Sequence, residues 1–372
     1  MRTTSLLGMV LFSALVACSG ASETSSDTLG QQSSAVQGGT SDTKRAHNFA
    51  VGIFSRYGAV CSGTLIAPNL VLTARHCVVP PDGSEAVSCD DVFPAKNVNP
   101  ANLYITTSPS MRNATTRYKA AEITTPKERG FCGNDIALIQ LEENIPESEA
   151  TPVTPVVQFS MTDRTKIGGS ITALGYGITS PNANDSGIRR IRQDIDIICV
   201  PGDDTYDCKG AYARMLDSDK EFITEGYVCS GDSGGGAFDQ ATFEQGAPYV
   251  LGALSRGPQT ADRCLAAIYS RTDMHAEMII AAGKKAALEG AYEEPAWLSP
   301  EVEPASDEPE LGTVCEGETC TATDATEPAP GTVVKRTTVG CSAAPHTSGS
   351  AFGALALAGV AALVAGRRRR AR

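Results

Sequence analysis

The sequence predicts an all-β folded body that ends in one helix. Nine short runs rich in β-branched and aromatic residues are separated by turn residues, which is the pattern of a sandwich or a barrel. The runs are Phe49–Phe54, Ser62–Ile66, Leu70–Thr73, Leu103–Thr107, Ile136–Leu141, Ser170–Gly175, Ile191–Cys199, Tyr249–Ser255 and Ala266–Arg271. The stretch Met274–Leu288 then predicts a helix, because apolar residues recur in it at helical spacing. Its predicted buried face consists of Met274, Met278, Ala281 and Ala282.

Length and charge limit what the rest of the chain can be. The 372 residues suffice for two or three domains, or for one large domain with tails, and the net charge of −12 argues against a nucleic-acid partner. The segment from Glu293 to Val334 carries 11 acidic residues and no Lys or Arg. Because acid and proline keep a chain extended, we predict an acidic, proline-rich, disordered linker over 293–340. Cys315 and Cys320 within it can close a small local loop.

The amino terminus has the pattern of an export signal. Arg2 precedes an apolar run from Leu6 to Val16, and Leu15-Val16-Ala17-Cys18 resembles a bacterial lipobox. That resemblance implies lipidation of Cys18; the alternative is an ordinary signal peptide that happens to contain a cysteine. Residues 1–18 are therefore predicted to be a signal peptide, and the Ser/Thr/Gln-rich residues 19–35 a disordered propeptide.

The carboxyl terminus combines a cysteine, a short apolar run and a basic cluster. The apolar run Ala351–Gly366 is shorter than the roughly 20 residues of a comfortable membrane span, and Arg367–Arg370 follow it. With Cys341 upstream, residues 341–372 resemble the MYXO-CTERM sorting tails of some Gram-negative bacteria. The resemblance implies cleavage near Cys341 and retention at the cell surface or outer membrane. A plain membrane tail is the alternative.

The cysteine count fits export. Twelve cysteines in an exported chain imply disulfides, and a bridge between Cys61 and Cys77 would pin the backbone of the intervening His76. The chain has no C-x-x-C pair and only four histidines, so no metal site is expected, and we expect no cofactor.

Three separate stretches carry residues for acyl-transfer chemistry. A glycine-rich turn, Gly231-Asp232-Ser233-Gly234-Gly235, contains a serine; His76 follows a strand pattern, and Asp135 precedes one. Taken singly, these stretches fit a glycine-rich hairpin, a structural histidine and a strand cap. Together, the order His76, Asp135, Ser233 is one of the known orders of a catalytic triad.

With these residues in view, the chain resembles the chymotrypsin-like (trypsin-fold) serine endopeptidases. The matching segments are Thr73-Ala74-Arg75-His76-Cys77, Asn134-Asp135-Ile136-Ala137-Leu138, the serine turn and Val36-Gln37-Gly38-Gly39. The resemblance implies a protease domain over 36–292, built from two packed antiparallel six-stranded β-barrels. His76 and Asp135 would come from the first barrel and Ser233 from the second.

The resemblance also implies a role for each residue. His76 would take the proton of the Ser233 hydroxyl, and Asp135, supported by Ser255, would orient the imidazole. The N–H groups of Gly231 and Ser233 would form the oxyanion hole.

An activation step is implied as well. Cleavage between Ala35 and Val36 by an activating protease would free an amine at Val36 that pairs with Asp232, so the chain would be made as a zymogen.

By family position, Cys229 pairs with Cys264. Cys199–Cys208 and Cys89–Cys132 are the third and fourth pairs that we expect, from their proximity to matched motifs.

The specificity pocket departs from the trypsin pattern. Tyr227 stands at its base, where Lys- or Arg-specific enzymes need a carboxylate. Gly257 and Ala267 would line the walls, and Arg256 replaces the aromatic residue of the adjoining subsite. These residues predict cleavage after apolar or small residues rather than after Lys or Arg, with the reservation that Tyr227 can fill the base.

Three other functions stay open on the sequence alone. An inactive homologue that serves as a surface binding module would usually lack a triad member. An α/β-hydrolase esterase needs a histidine after the serine, for which His275 is the candidate. A cell-surface adhesin rests only on the two predicted anchors. The partners expected for the protease are protein or peptide substrates, an activating protease, and a membrane bound through the tail and through lipid on Cys18.

Overall fold

The computed structural model describes residues 36–56, 60–79, 87–210, 214–216 and 218–299, together with the backbone of 313–316 and 319–322. The predicted signal peptide, propeptide and sorting tail, with Cys18 and Cys341, lie outside these residues, as does most of the predicted linker. Within the part of the chain that is described, no helix is both long and apolar enough to cross a membrane.

The first barrel closes six antiparallel strands in the order β2-β3-β4-β7-β6-β5. Its interior is filled by buried apolar side chains such as Val51, Leu65 and Ile139, which alternate with the outward positions of their strands. A two-residue strand precedes the barrel. The strands are β1 (Thr40–Ser41), β2 (Ala50–Ser55), β3 (Val60–Ala67), β4 (Leu70–Thr73), β5 (Leu103–Thr106), β6 (Tyr118–Thr124) and β7 (Ala137–Leu141).

The second barrel also closes six antiparallel strands. They follow the order β9-β10-β11-β14-β13-β12, and a β12–β9 pairing completes the ring. Strand β1 pairs with β10, and β8 runs parallel to β13. The strands and the short helix between them are β8 (Thr154–Pro155), β9 (Ser170–Gly175), β10 (Arg190–Cys199), β11 (Glu221–Glu225), β12 (Gly236–Asp239), α1 (Gln240–Glu244), β13 (Tyr249–Arg256) and β14 (Ala266–Arg271). The prediction of two six-stranded barrels is confirmed.

The C-terminal helix is confirmed, and of its predicted buried face Ala282 is buried, whereas Met274, Met278 and Ala281 are not. Helix α2 (Ala276–Gly290) buries Ile279, Ala282, Gly283, Ala286 and Ala287. Met274 is 38% exposed and Ala281 is exposed, whereas Met278 is half-buried. The reason is that a 3-10 turn over Asp273–His275 precedes α2, so Met274 does not belong to the helical period.

Short 3-10 helices complete the body. They span Arg45–His47, Arg75–Val78, Pro100–Asn102, Asp273–His275 and Ala296–Leu298. The last brings Trp297 and Leu298 onto α2 at Gly283, where a side chain would collide with both. The end of the folded body is thereby packed against the helix.

The predicted linker contains regular structure that the sequence analysis did not anticipate. Strands β15 (Thr313–Glu316) and β16 (Thr319–Ala322) form a two-stranded antiparallel hairpin. Cys315 and Cys320 are directly opposite each other in its register.

Candidate active site

His76 and Asp135 are brought together by strand pairing. His76 lies in the 3-10 turn that follows β4, and Asp135 lies two residues before β7, which pairs with β4. The Nδ1 atom of His76 is 2.8 Å from Oδ2 of Asp135, and the backbone N–H of His76 donates to Oδ1 at 2.9 Å. The carboxylate therefore fixes both the ring and the backbone of the histidine.

The two groups perturb each other's ionisation. Burial by itself would raise the pKa of Asp135, but the charge and hydrogen bonds of His76, with a further bond from Ser255, lower that pKa below its usual value. Burial would lower the pKa of His76, but the charge and hydrogen bond of Asp135 outweigh it and raise that pKa above the usual 6.5. The imidazole side chain is 27% exposed and the carboxylate is fully buried. The geometry thus suits a base that takes up a proton on its exposed side and is stabilised by the buried carboxylate on the other side.

The second barrel holds the same aspartate. The hydroxyl of Ser255, on β13, donates to Oδ2 of Asp135 at 2.6 Å. The hydroxyl of Ser270, on β14, donates to the backbone carbonyl of Asp135 at 2.9 Å. Asp135 therefore has buried hydrogen-bond partners from both barrels.

The turn that contains Ser233 is anchored on β3. The carbonyl of Ser233 accepts from the N–H of Ser62 at 2.8 Å, and the Ser62 hydroxyl donates to the carbonyl of Gly231 at 2.9 Å. The missing side chain of Gly234 leaves room for Ser62 and Thr73, and Thr73 is the last residue of β4. Because His76 follows β4, the serine turn lies against the segment that leads to the histidine. The sequence analysis missed Ser62, which is one of two buried polar residues, with Thr64, in a largely apolar strand.

The same turn has backbone N–H groups available for an anion. Gly231 has a φ of 92°, and a Cβ there would come within 2.8 Å of the Cα of Gly177, so only glycine fits. The N–H groups of Asp232, Gly234 and Gly235 donate hydrogen bonds to backbone carbonyls. Within the described residues, no backbone hydrogen bond uses the N–H of Gly231 or Ser233.

Asp232 lies beneath this turn, next to the predicted activation site. Its Oδ1 accepts from the N–H of Gly177 at 2.8 Å and its Oδ2 from the N–H of Cys229 at 2.9 Å. Burial raises the pKa of Asp232 to about 6, although hydrogen bonds from the backbones of Cys229, Gly177 and Val36 partly oppose that rise. Val36 is fully buried, and its backbone forms a hydrogen bond with Asp232, so these two residues are in contact.

Among the described side chains the structure forms four disulfides, and they are the four predicted pairs. They join Cys61 to Cys77, Cys89 to Cys132, Cys199 to Cys208, and Cys229 to Cys264. The sulfurs of Cys61 and Cys77 lie close to His76, but they are bonded to each other and are not metal ligands.

The predicted pocket residues lie on the strands and loops of the second barrel. The ring of Tyr227, whose φ is 81°, has the Arg192 guanidinium 3.4 Å from its centroid, so one face of the ring is covered. Ala267 is fully buried on β14. A side chain at Gly257 would collide with the carbonyl of Ala266, so glycine is required there for the close approach of the two strands.

Arg256, at the end of β13, does not present a free cation. Its Nη1 and Nη2 atoms donate to Oε1 and Oε2 of Glu221 at 2.5 and 3.0 Å. The sequence analysis missed Glu221. The sequence gives little signal for it, because β11 (Glu-Phe-Ile-Thr-Glu) carries a glutamate at each end.

His275, the alternative catalytic base, is committed elsewhere. Its Nε2 is 2.9 Å from the carbonyl of Gly133, and burial lowers its pKa to about 4. An α/β-hydrolase is excluded in any case, because the fold consists of two β-barrels.

Comparisons with known proteins agree with this fold. The chain is 28% identical over 230 residues to phenoloxidase-activating factor 3 of Holotrichia diomphalia, covering 59% of this chain and 62% of that protein. It is 28% identical over 217 residues to snake venom serine protease NaSP of Naja atra, with 54% and 64% covered. It is 26% identical over 235 residues to kallikrein 1-related peptidase b24 of Mus musculus, with 60% and 78% covered. The chain thus spans less than two thirds of the length of the first two relatives. Residues 36–279 match the family model described as Trypsin, and the chain belongs to this family of serine-type endopeptidases.

Proposed function

We propose that this chain is a secreted or surface-anchored serine endopeptidase that cleaves peptide bonds through an acyl-enzyme on Ser233. The observation that carries the proposal is the buried His76–Asp135 pair, with its 2.8 Å hydrogen bond, beside the glycine-rich serine turn. A buried carboxylate bonded to one imidazole nitrogen leaves the other nitrogen to act as a base.

Each step uses a group of this chain. As the Ser233 Oγ attacks the carbonyl carbon of the scissile bond, its proton passes to His76 Nε2, and Asp135 stabilises the resulting imidazolium. The carbonyl oxygen becomes an oxyanion facing the N–H groups of Gly231 and Ser233. Losing one such donor typically costs about 10²–10³ in turnover. His76 then protonates the leaving amine, and water repeats the sequence on the acyl-enzyme.

The proposal includes activation by cleavage between Ala35 and Val36. In the structure Asp232 is buried, and this burial raises its pKa, although hydrogen bonds and the charge of Arg190 partly oppose the rise. A free α-ammonium at Val36 would supply a cation in direct contact with this carboxylate, next to the oxyanion turn. To test this step, a recognition sequence for a second protease is placed directly before Val36. Activity should appear only after cleavage; full activity of the uncut chain would exclude a zymogen.

The proposed substrates have an apolar or small residue before the scissile bond. Tyr227, at the base of the predicted specificity pocket, has no carboxylate that could pair with a substrate Lys or Arg. The nearby Arg192 would repel such a side chain. A peptide library that varies this residue tests the preference. Peptides with Ala, Val, Leu or Phe should be cleaved faster than peptides with Arg, and the reverse order would refute it.

The proposed location is outside the cytoplasm. Four disulfides support export, because such bonds persist in oxidising compartments. Anchoring would use lipid on Cys18 and the tail that follows Cys341. Metabolic labelling with a radioactive fatty acid, compared between the natural chain and Cys18→Ala, tests the first anchor. Cleavage at Ala35 would separate that anchor from the protease, leaving only the tail.

Labelling with a fluorophosphonate tests the central proposal. The cleaved enzyme should acquire one adduct that maps to Ser233, and Ser233→Ala should abolish it. Ser230→Ala is the matched control, because Ser230 is an exposed serine in the same turn. Absence of the adduct from the folded, cleaved chain would favour the inactive surface module instead.

A further inference from the structure

Glu221 and Arg256 form an ion pair next to Ser255, the residue that binds Asp135. Glu221 begins β11 and its side chain is fully buried, whereas the Arg256 side chain at the end of β13 is 12% exposed. Both Arg256 Nη atoms donate to the carboxylate, a bidentate geometry that is stronger and more directional than a single contact. A fully buried carboxylate needs such a partner, because an unpaired charge is costly in the protein interior.

The same carboxylate holds the turn that leads to Asp135. Oε1 of Glu221 also accepts a 2.9 Å hydrogen bond from the N–H of Gly133, two residues before Asp135. Gly133 has a φ of 75°, a conformation that glycine adopts without strain. Its backbone carbonyl lies 2.9 Å from Nε2 of His275. Glu221 belongs to the second barrel and His275 to the segment that follows it, whereas the turn at Gly133 belongs to the first barrel.

Arg256 connects this pair to the substrate side of the site. It directly follows Ser255, whose hydroxyl binds Asp135, and its Nη1 lies 3.4 Å from that hydroxyl. Its Nη2 also donates to the carbonyl of Met215 at 3.1 Å. An extended peptide substrate would run along the end of β13, next to this guanidinium.

The Arg256 guanidinium can therefore pair either with Glu221 or with an acidic side chain of the substrate. While Glu221 is ionised and bound to it, the pair is neutral as a whole and offers little attraction to a charged substrate. Without the Glu221 charge, Arg256 becomes an unpaired cation beside the path of the substrate, where an acidic side chain can pair with it.

On the basis of the proposed function, we propose that Glu221 has two tasks: it positions Asp135 through Gly133, and it prevents Arg256 from selecting acidic substrate side chains. The second task determines specificity at the substrate positions that lie next to Arg256 in the bound peptide. The first makes Glu221 a positioning residue, since it acts through Gly133 and does not touch the reacting atoms.

The substitution Glu221→Gln separates the two tasks. Its amide oxygen still accepts from Gly133, but the negative charge is gone. On paired peptides that carry Glu or Gln at one of these positions, the ratio of kcat/KM for the Glu peptide over the Gln peptide should rise at least tenfold, mainly through KM. The Gln peptide is the internal reference, so a change in kcat that both peptides share cancels in this ratio. An unchanged ratio in the folded variant overturns the specificity task.

Two further variants control for the charge and for folding. Glu221→Gln combined with Arg256→Gln removes both charges and should return the ratio to the natural value; a ratio that stays high overturns the role of Arg256. Glu221→Leu combined with Arg256→Met replaces the pair by apolar side chains, an exchange that proteins often tolerate. That variant gives Gly133 no acceptor, so its kcat should fall at least tenfold while KM changes little. A natural kcat would overturn the positioning task. If instead the unaltered, cleaved enzyme fails to label at Ser233, it is the proposed function that fails.

Discussion

The hydroxyl of Ser255 donates a 2.6 Å hydrogen bond to Oδ2 of Asp135, across the boundary between the two barrels. Asp135 belongs to the first barrel and Ser255 to the second, 120 residues further along the chain. The bond reaches the same carboxylate oxygen that lies 2.8 Å from His76. The pairing of His76 and Asp135 is therefore supported only when both barrels have folded and packed.

Replacing Ser255 by Ala should destabilise the protein in a pH-dependent way. A buried hydrogen bond to a charged group contributes about 1.5–3 kcal/mol to the free energy of unfolding. Because the fold lowers the pKa of Asp135, this contribution is present above the usual aspartate pKa and is lost as the pH falls through the folded pKa. Urea unfolding at pH 7 and at low pH, in a Ser233→Ala background that prevents autolysis, measures it.

Ser270→Ala is the matched control. Its hydroxyl donates to the backbone carbonyl of Asp135, which does not titrate, so its loss of about 1 kcal/mol should be the same at both pH values. An equal loss at both pH values for Ser255→Ala would contradict the role assigned to the carboxylate.

Asp135→Asn should move the acid limb of the activity profile to lower pH. The charge of Asp135 raises the pKa of His76 against the effect of burial, so without that charge burial dominates and the pKa falls. The rate at the optimum should also drop, by about 10⁴, because the imidazolium loses its stabilising anion and its fixed tautomer. The pH dependence of kcat/KM on an apolar peptide checks both effects. An acid limb that stays in place would show that Asp135 does not set the pKa of His76.

The effect of Asp232 on the free energy of unfolding should change when the chain is cleaved before Val36. In the uncut chain its folded pKa of about 6 lies above the ordinary value of 3.8. The folded state therefore keeps a proton that the unfolded state has released, and stability should decrease by roughly 3 kcal/mol as the pH rises through that window. Asp232→Asn should remove this decrease.

Cleavage before Val36 should remove the decrease in the natural chain, because an α-ammonium then pairs with the carboxylate. Denaturation of cut and uncut chains between pH 4 and pH 8, again with Ser233→Ala, makes the comparison. The same pH dependence in the cut and uncut chains would exclude an Asp232–Val36 pair.

Removing the disulfide next to His76 should reduce both stability and turnover. The Cys61–Cys77 bridge closes a separation of 16 residues, for which the chain-entropy relation gives about 3 kcal/mol. The variant that replaces both cysteines by Ala should lose that amount, and its kcat should fall because the backbone of His76 is less constrained.

The Cys199–Cys208 bridge provides the comparison. It closes a separation of 9 residues on the second barrel, so its removal should cost about 2.5 kcal/mol and leave kcat within about twofold. Equal losses of kcat in the two double variants would mean that the bridge beside His76 has no special role in the site.

Most of the barrel strands could be predicted from the sequence because they are apolar and bounded by turns. Three were missed for identifiable reasons. Strand β6 buries Tyr118 and Ala120 but exposes Lys119, Ala121 and Glu122, so it does not read as an apolar run. Strand β11 begins with Glu221, whose burial depends on a distant arginine, and β12 begins at Gly236 inside a glycine-rich turn. The local sequence pattern cannot show an interaction partner that is distant along the chain and that only the fold brings near.

The candidate site divides in the same way. His76, Asp135 and Ser233 stand in recognisable motifs, and their order along the chain indicated the chemistry. Ser62 and Glu221 have no motif, because their importance lies in hydrogen bonds to residues that are distant along the chain. Such residues become visible only once the barrels are packed.

The turnover number of the cleaved Ser233→Ala enzyme tests the central claim most directly. On a peptide that the natural enzyme cleaves, the account predicts a loss of at least about 10⁴ in kcat, because the only nucleophile in the proposed mechanism is that hydroxyl. Ser230→Ala, prepared in the same way, should keep its natural kcat. A Ser233→Ala enzyme that hydrolyses the peptide at the natural rate would contradict the account.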